Sequence, residues 1–97
     1  MYDDVLTLLK FDLSIRNNSR NEYLINLIEG AAAQIASYGV NLDIENSPDD
    51  AMFLSDWCAW KYRNRVEGKD LPNNLRLRLN DRIIRARAAK YESKDTS

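Results

Sequence analysis

The chain has 97 residues, with 14 basic and 15 acidic side chains, no histidine and a single cysteine, Cys58. A chain of this length suits one domain, which buries about 60 to 70% of its unfolded surface. One cysteine excludes an internal disulfide and a multi-cysteine metal site, and the lack of histidine excludes Ser-His-Asp catalysis and histidine-ligated zinc. We therefore expect no enzyme activity and no cofactor.

The sequence shows no sign of membrane insertion. No apolar run approaches the roughly 18 residues of a membrane-spanning helix, and the N-terminus lacks a basic region followed by an apolar one. We expect a protein that contacts no membrane and is cytosolic when it is made.

Charged side chains are unevenly distributed along the chain. Residues 1–60 carry three basic and ten acidic side chains, a net charge of −7, whereas residues 61–97 carry eleven basic and five acidic ones, a net charge of +6. Such asymmetry is typical of a chain that binds a partner or another copy of itself. It also suits two solvated faces of opposite sign.

A short helix is predicted at the start of the chain. Asp3 and Asp4 place negative charge in its first turn, and aliphatic residues follow. Residues 11–18 alternate apolar and polar side chains, which suits either a short strand or an extended connector. We predict a connector, because no second clear strand is available to pair with it.

A second helix is predicted from a capping box. Ser19 with Glu22 three residues later matches that motif, and the apolar residues that follow have helical spacing. Gly39 is predicted to end this helix in the left-handed conformation, with Val40 packing back on Ile35.

A long central helix is predicted over residues 47–68. Ser47 can cap it by accepting a hydrogen bond from the backbone N–H of Asp50, Pro48 suits the first position, and Gly68 offers a left-handed stop. Helix capping explains the acidic pair Asp49 and Asp50, which places negative charge at the positive end of the helix dipole. The first half of this helix is apolar on almost every side, as in a helix that neighbours cover on several faces. The second half, residues 61–67, is polar.

A fourth helix is predicted over residues 72–90. Asp70 is its predicted N-cap and Pro72 an early helical residue. The alternation of leucine and arginine over residues 75–79 suits a strand, but the apolar spacing up to Ala86 is helical. Residues 92–97 are polar and are predicted to form a disordered tail after a single domain of residues 1–91.

These elements predict an all-α fold, a small bundle of four helices. Trp57 and Trp60 could form a platform on which bases stack, but they lie in the most apolar part of the longest helix, so we assign them to the core. Cys58 is assigned there as a small hydrophobic residue. The predicted core consists of Leu27, Ile28, Ala31, Ile35, Leu54, Trp57, Cys58, Trp60, Leu75, Leu79 and Ile83.

Arginines are the strongest charge feature of the fourth helix. Arg78, Arg82 and Arg85 share one face, at i, i+4 and i+7. A row of guanidinium groups can bind phosphates or the carboxylates of a partner protein. The same row also suits the solvated face of an amphipathic helix.

Motifs in a fixed order resemble the head-to-tail connector, or adaptor, proteins of tailed bacteriophages. The patterns are D-V-x-x-L-L in residues 4–9, N-E-Y-L-I-x-L-I-E-x-A in residues 21–31 and W-x-x-W-K-Y-R-N-R-x-E-G in residues 57–68, followed by L-P-x-x-L-R and L-N-x-R-I. The resemblance spans about residues 2–87. Where family members often have methionine before the proline, this chain has Leu71.

The resemblance implies a helical protomer that assembles into a twelve-subunit ring beneath the portal in the virion neck. The ring would extend the DNA channel and present a surface to the next head-completion (stopper) or tail protein, and an acidic channel wall would let DNA pass without adhering. Candidate contacts with the portal or a neighbouring subunit are Arg76, Arg78, Arg82, Arg85 and Arg87. Tyr62, Arg63 and Arg65 form a second candidate assembly surface. The competing hypothesis is a small helical DNA-binding or DNA-packaging factor that uses the arginine helix.

Overall fold

A computed structural model describes residues 2–64 and 70–95, which form four helices and no strand. The helices are α1 (Asp3–Asp12), α2 (Asn21–Ala36), α3 (Pro48–Arg63) and α4 (Asn73–Asp95). The predicted all-α fold of four helices is confirmed. The predicted connector, residues 11–18, contains no strand, as expected, but its first two residues, Phe11 and Asp12, belong to α1. Turns, bends and irregular backbone occupy residues 13–20.

The start of α3 follows the predicted capping chemistry. Ser47 is extended, and its side chain accepts a hydrogen bond of 3.2 Å from the backbone N–H of Asp50, while Pro48 occupies the first helical position. The helix ends at Arg63, earlier than the predicted stop at Gly68, and residues 65–69 lie outside the described part of the chain.

The start of α2 differs from the prediction. The hydroxyl of Ser19 donates to Oδ1 of Asn17 at 2.7 Å, and α2 begins at Asn21 with no side-chain cap. The capping-box prediction is therefore wrong. Lys10 instead secures this turn, because its ammonium group donates to side-chain oxygens of Asn18 and Asn21 at 2.9 and 2.8 Å.

Both ends of α4 also differ from the prediction. The helix begins at Asn73, so Asp70 is not its N-cap, and it continues to Asp95 rather than ending near residue 90. Residues 92–95, assigned from the sequence to a tail, are part of the helix, whereas residues 96–97 lie outside the described chain. Gly39, by contrast, ends the turn after α2 as predicted: its φ is 83°, in the left-handed region.

The core is built around α3, which packs against each of the other three helices. Trp57 is 2% exposed and meets the rings of Phe53 and Trp60 edge to face, with centroids 5.8 and 6.3 Å apart. Of the predicted core residues, Leu27, Trp60 and Ile83 are only partly buried and the others are buried. The prediction omitted several buried residues: Val5, Leu9, Leu24, Val40, Ala51, Phe53 and Ala59.

The molecule is elongated. Its principal extents are 50 × 28 × 17 Å and its radius of gyration is 14.7 Å, compared with about 13 Å for a compact domain of 100 residues. The 23 residues of α4 form a rod of about 34 Å at 1.5 Å per residue. The length of α4 therefore exceeds the width of the bundle on which it rests.

Candidate functional site

The arginines of α4 divide into two sets. Arg78 and Arg82 bind aspartates of α3, and their side chains are 29% and 6% exposed. Arg76, Arg85 and Arg87 are exposed. Helical spacing explains the division, because residues 78 and 82 lie beside the buried leucines 75 and 79.

Arg82 is the most extensively bonded arginine of α4. Its Nη2 lies 2.6 Å from Oδ2 of Asp49, and its Nε donates to Oδ1 of Asp50 at 3.2 Å. The guanidinium carbon lies 4.3 Å from the centroid of the Phe53 ring, close enough for a cation–π interaction. Two carboxylates and an aromatic face thus offset the cost of burying the charge.

Asp50 connects three parts of the chain. One carboxylate oxygen accepts from Arg82 on α4, and the other accepts from the backbone N–H of Asp43 at 2.9 Å. Its own backbone N–H donates to Ser47. From the sequence, Asp49 and Asp50 were explained by helix capping alone. The structure shows that Asp50 also joins the α2–α3 connection and the start of α3 to α4.

A second ion pair lies further along the same contact. Nη1 of Arg78 is 2.8 Å from Oδ2 of Asp56, and the Arg78 guanidinium carbon is 5.1 Å from the centroid of the Phe53 ring. Asp49 and Asp56 are seven residues apart on α3, which places them on one face of the helix. The arginines that they meet, Arg82 and Arg78, are four residues apart on one face of α4. An acidic face on one helix and a basic face on another are the signal in the sequence that could have indicated this pairing.

The exposed arginines have fewer partners within the chain. Arg85 pairs with Asp81 one turn earlier at 2.7 Å, and both side chains are 63% exposed. A guanidinium nitrogen of Arg76 donates to the carbonyl of Leu71 at 3.5 Å. Arg87 forms no ion pair with any residue that the structure describes. Of the five arginines predicted to contact the portal or a neighbouring subunit, these three have side chains that a partner protein can reach.

Two members of the second predicted surface, Tyr62 and Arg63, contact residues of α1 and of the start of α2. The Tyr62 hydroxyl accepts from Arg20, and its ring meets that of Tyr23 edge to face at 6.2 Å. Arg63 donates to the Asp12 carbonyl at 3.1 Å and lies 3.4 Å from the Asp12 carboxylate. Arg65, the third predicted member, lies outside the described residues.

Two side chains of α3 that could serve a functional site, Cys58 and Trp57, lie in the core. Burial raises the pKa of the Cys58 thiol from 9.0 to about 12, an effect that the nearby Lys61 charge partly opposes. A thiol that stays protonated at neutral pH is a poor nucleophile. The burial of Trp57 likewise leaves it no free face for stacking on a base.

Neither a metal-binding cluster nor a membrane-spanning helix is found in the part of the chain that the structure describes. Among the side chains of residues 2–64 and 70–90, no three cysteine or acidic groups come close enough together to hold a metal ion. None of the described helices combines the length and the hydropathy of a membrane-spanning segment.

Comparison with models of known protein families, with curated proteins and with solved structures finds no significant match to this chain.

Proposed function

We propose that this chain is a structural head-tail connector of a tailed bacteriophage, which assembles as a ring, a dodecamer by resemblance, under the portal of the virion neck. The observation that carries the proposal is the order of the motifs. The first falls on α1, the second on α2, and the tryptophan and leucine motifs extend from α3 into α4. The ring would extend the DNA channel and meet the next stopper or tail protein on its other side.

The charge distribution supports this proposal. A cyclic assembly uses heterologous contacts, in which one surface of a subunit meets a different surface of its neighbour. The acidic residues 1–60 and the basic residues 61–97 can supply such complementary surfaces. On the basic side, Arg76, Arg85 and Arg87 are exposed and are the side chains that we assign to contacts with the portal or a neighbouring subunit.

Electron microscopy of the chain mixed with the portal protein of the same phage genome tests the proposal. We expect rings or portals decorated with an additional layer of density. Reversing the three exposed arginines to glutamate should weaken capture by the portal at least tenfold. The control is Arg16→Glu, which reverses a charge that is also exposed and lies outside α4. Failure of the unmodified chain to associate with the portal under any condition would overturn the proposal.

A small DNA-binding or DNA-packaging factor is the second candidate. The observation that favours it is the run of exposed basic residues Arg85, Arg87 and Lys90 along α4. This candidate predicts binding to duplex DNA that weakens steeply with salt, since each phosphate contact releases counterions. No binding at 50 mM salt would eliminate it, whereas salt-sensitive binding without capture by the portal would favour it over the connector.

A further inference from the structure

The outer side of α4 carries an apolar stripe. Leu77, Ile84 and Ala88 are spaced at i, i+7 and i+11, which places them on one side of the helix. Leu77 is 68% exposed, Ile84 is 65% exposed, and Ala88 is also exposed. These three residues are called the outer stripe. An apolar stripe on a helix normally packs against another surface.

Arginines flank the outer stripe on both sides. At 100° per residue, Arg85 lies to one side of Ile84 and Arg87 to the other. Both side chains are exposed. A surface that suits the outer stripe should therefore be apolar at its centre and acidic at its margins.

A groove elsewhere on the molecule has this character. It lies between α1, the α2–α3 connection and the start of α3, and has a volume of about 440 Å³. Leu8, Ile44 and Met52 supply apolar lining, and Asp4 and Glu45 supply negative charge. Met52 is 44% exposed. Neither of the two carboxylates forms an ion pair with a residue in the described part of the chain.

We propose that the outer stripe of one copy of this chain docks into this groove of a second copy. Within one copy, α4 packs on α3 through Leu75, Leu79 and Ile83, so its outer stripe faces away from its own core. The apolar side chains of the stripe would fill the groove while Arg85 and Arg87 approach its acidic residues.

This contact joins two different surfaces, so each docked copy presents a free stripe at one end and a free groove at the other. Repetition gives a closed ring or an open filament, depending on the angle between successive copies. The inference deepens the proposed function, because the place of this contact in the virion rests on that function. Self-association of the chain can nevertheless be measured without the portal.

Complementation between two variants tests the contact by analytical ultracentrifugation. The unmodified chain should form species larger than the 11.2 kDa protomer, and the mass should rise with protein concentration. Ile84→Glu disables the stripe and Met52→Glu disables the groove, so each variant alone should remain a protomer. An equimolar mixture retains one intact stripe and one intact groove, and should form a dimer that does not grow further.

The matched control is Tyr38→Glu, which changes a residue of similar exposure, 47%, just after α2 and outside both surfaces. This variant should assemble like the unmodified chain. Circular dichroism verifies that each variant is folded. If a glutamate variant loses helicity, neutral substitutions repeat the test at exposed sites: Arg85→Gln and Arg87→Gln weaken the stripe of one copy, and Asp4→Asn and Glu45→Gln weaken the groove of the other.

Two results would overturn the inference. One is an unmodified chain that stays a protomer at every concentration up to the millimolar range. The other is assembly that Ile84→Glu abolishes and Met52→Glu leaves intact, because the stripe would then pair with another stripe. Capture by the portal is measured separately. An unmodified chain that the portal captures but that does not self-associate therefore refutes this contact alone, whereas one that self-associates but is not captured refutes the connector function.

Discussion

The three N-terminal helices and α4 are held in place by different kinds of contact. Helices α1, α2 and α3 bury a continuous apolar cluster that includes Leu9, Ile28 and Trp57. Among the side chains of α4 that the structure describes, residues 73–90, Leu75 and Leu79 are the buried members of that cluster, and two arginines bind aspartates of α3. Apolar burial therefore determines whether the chain folds, whereas the ion pairs determine where α4 lies on it.

The largest effect is expected from a cavity in the core. Trp57→Ala should lower the free energy of unfolding by about 3 to 5 kcal/mol, the usual cost of truncating a buried aromatic side chain. Because small domains have about 5 to 15 kcal/mol of total stability, the thermal midpoint should fall sharply in circular dichroism. Met52→Ala, on the exposed side of the same helix, should cost under about 1 kcal/mol. Equal losses in the two variants would contradict the proposed core.

A smaller effect is expected where α4 meets α3. Arg82→Met removes charged hydrogen bonds to Asp49 and Asp50 and should cost about 2 to 3 kcal/mol. Arg85→Met, at a side chain that is 63% exposed, should cost under about 0.5 kcal/mol. Hydrogen exchange provides the second measurement, since amides of α4 should lose more protection than those of α2. Equal stability of the two variants would show that the Arg82 contacts do not hold α4.

The different positions of these two arginines show the limit of sequence reasoning. Helical periodicity placed Arg78, Arg82 and Arg85 on one face and suggested a single outward surface. It could not show that α4 docks with part of this face against α3, because docking depends on the relative rotation of two helices. Helix capping accounts for Asp49 without any tertiary contact, and no local motif includes Asp56. Their ion pairs with Arg82 and Arg78 are therefore evident only in the folded chain.

The two capping motifs differ in outcome: the sequence predicted the start of α3 correctly and the start of α2 wrongly. The Ser47 cap was predicted correctly, because an extended serine before Pro48 leaves few alternatives. At Ser19 the same kind of pattern failed, because α2 begins only at Asn21, and both the backbone N–H and the hydroxyl of Ser19 donate to Oδ1 of Asn17. A capping motif specifies compatible chemistry, and competition with neighbouring side chains decides whether the bond forms.

The two serines provide the next prediction. Ser47→Ala removes the side-chain acceptor at the start of α3 and should cost about 1 kcal/mol. Ser19→Ala should change the free energy of unfolding by less than about 0.5 kcal/mol, because Ser19 caps no helix. Urea denaturation followed by circular dichroism measures both. A loss at Ser19 as large as that at Ser47 would restore the capping-box interpretation.

The smallest effect is expected for the ion pair between Arg78 and Asp56. A double-mutant cycle of Arg78→Ala and Asp56→Ala should give a coupling energy of about 0.2 to 1 kcal/mol, typical of a partly exposed pair. The coupling should decrease in 1 M salt, because mobile ions screen accessible charges. A coupling above about 2 kcal/mol would show that this pair, rather than Arg82, is the principal polar attachment of α4.

The buried thiol of Cys58 can report how often the core of the protein opens. Since Cys58 is the only cysteine and is fully covered, an alkylating reagent at neutral pH can mark a chain once, and only while its core is open. The mark is permanent and adds a fixed mass. Mass spectrometry of the protein before and after it joins an assembly would therefore reveal how far association with its neighbours slows the opening of each subunit.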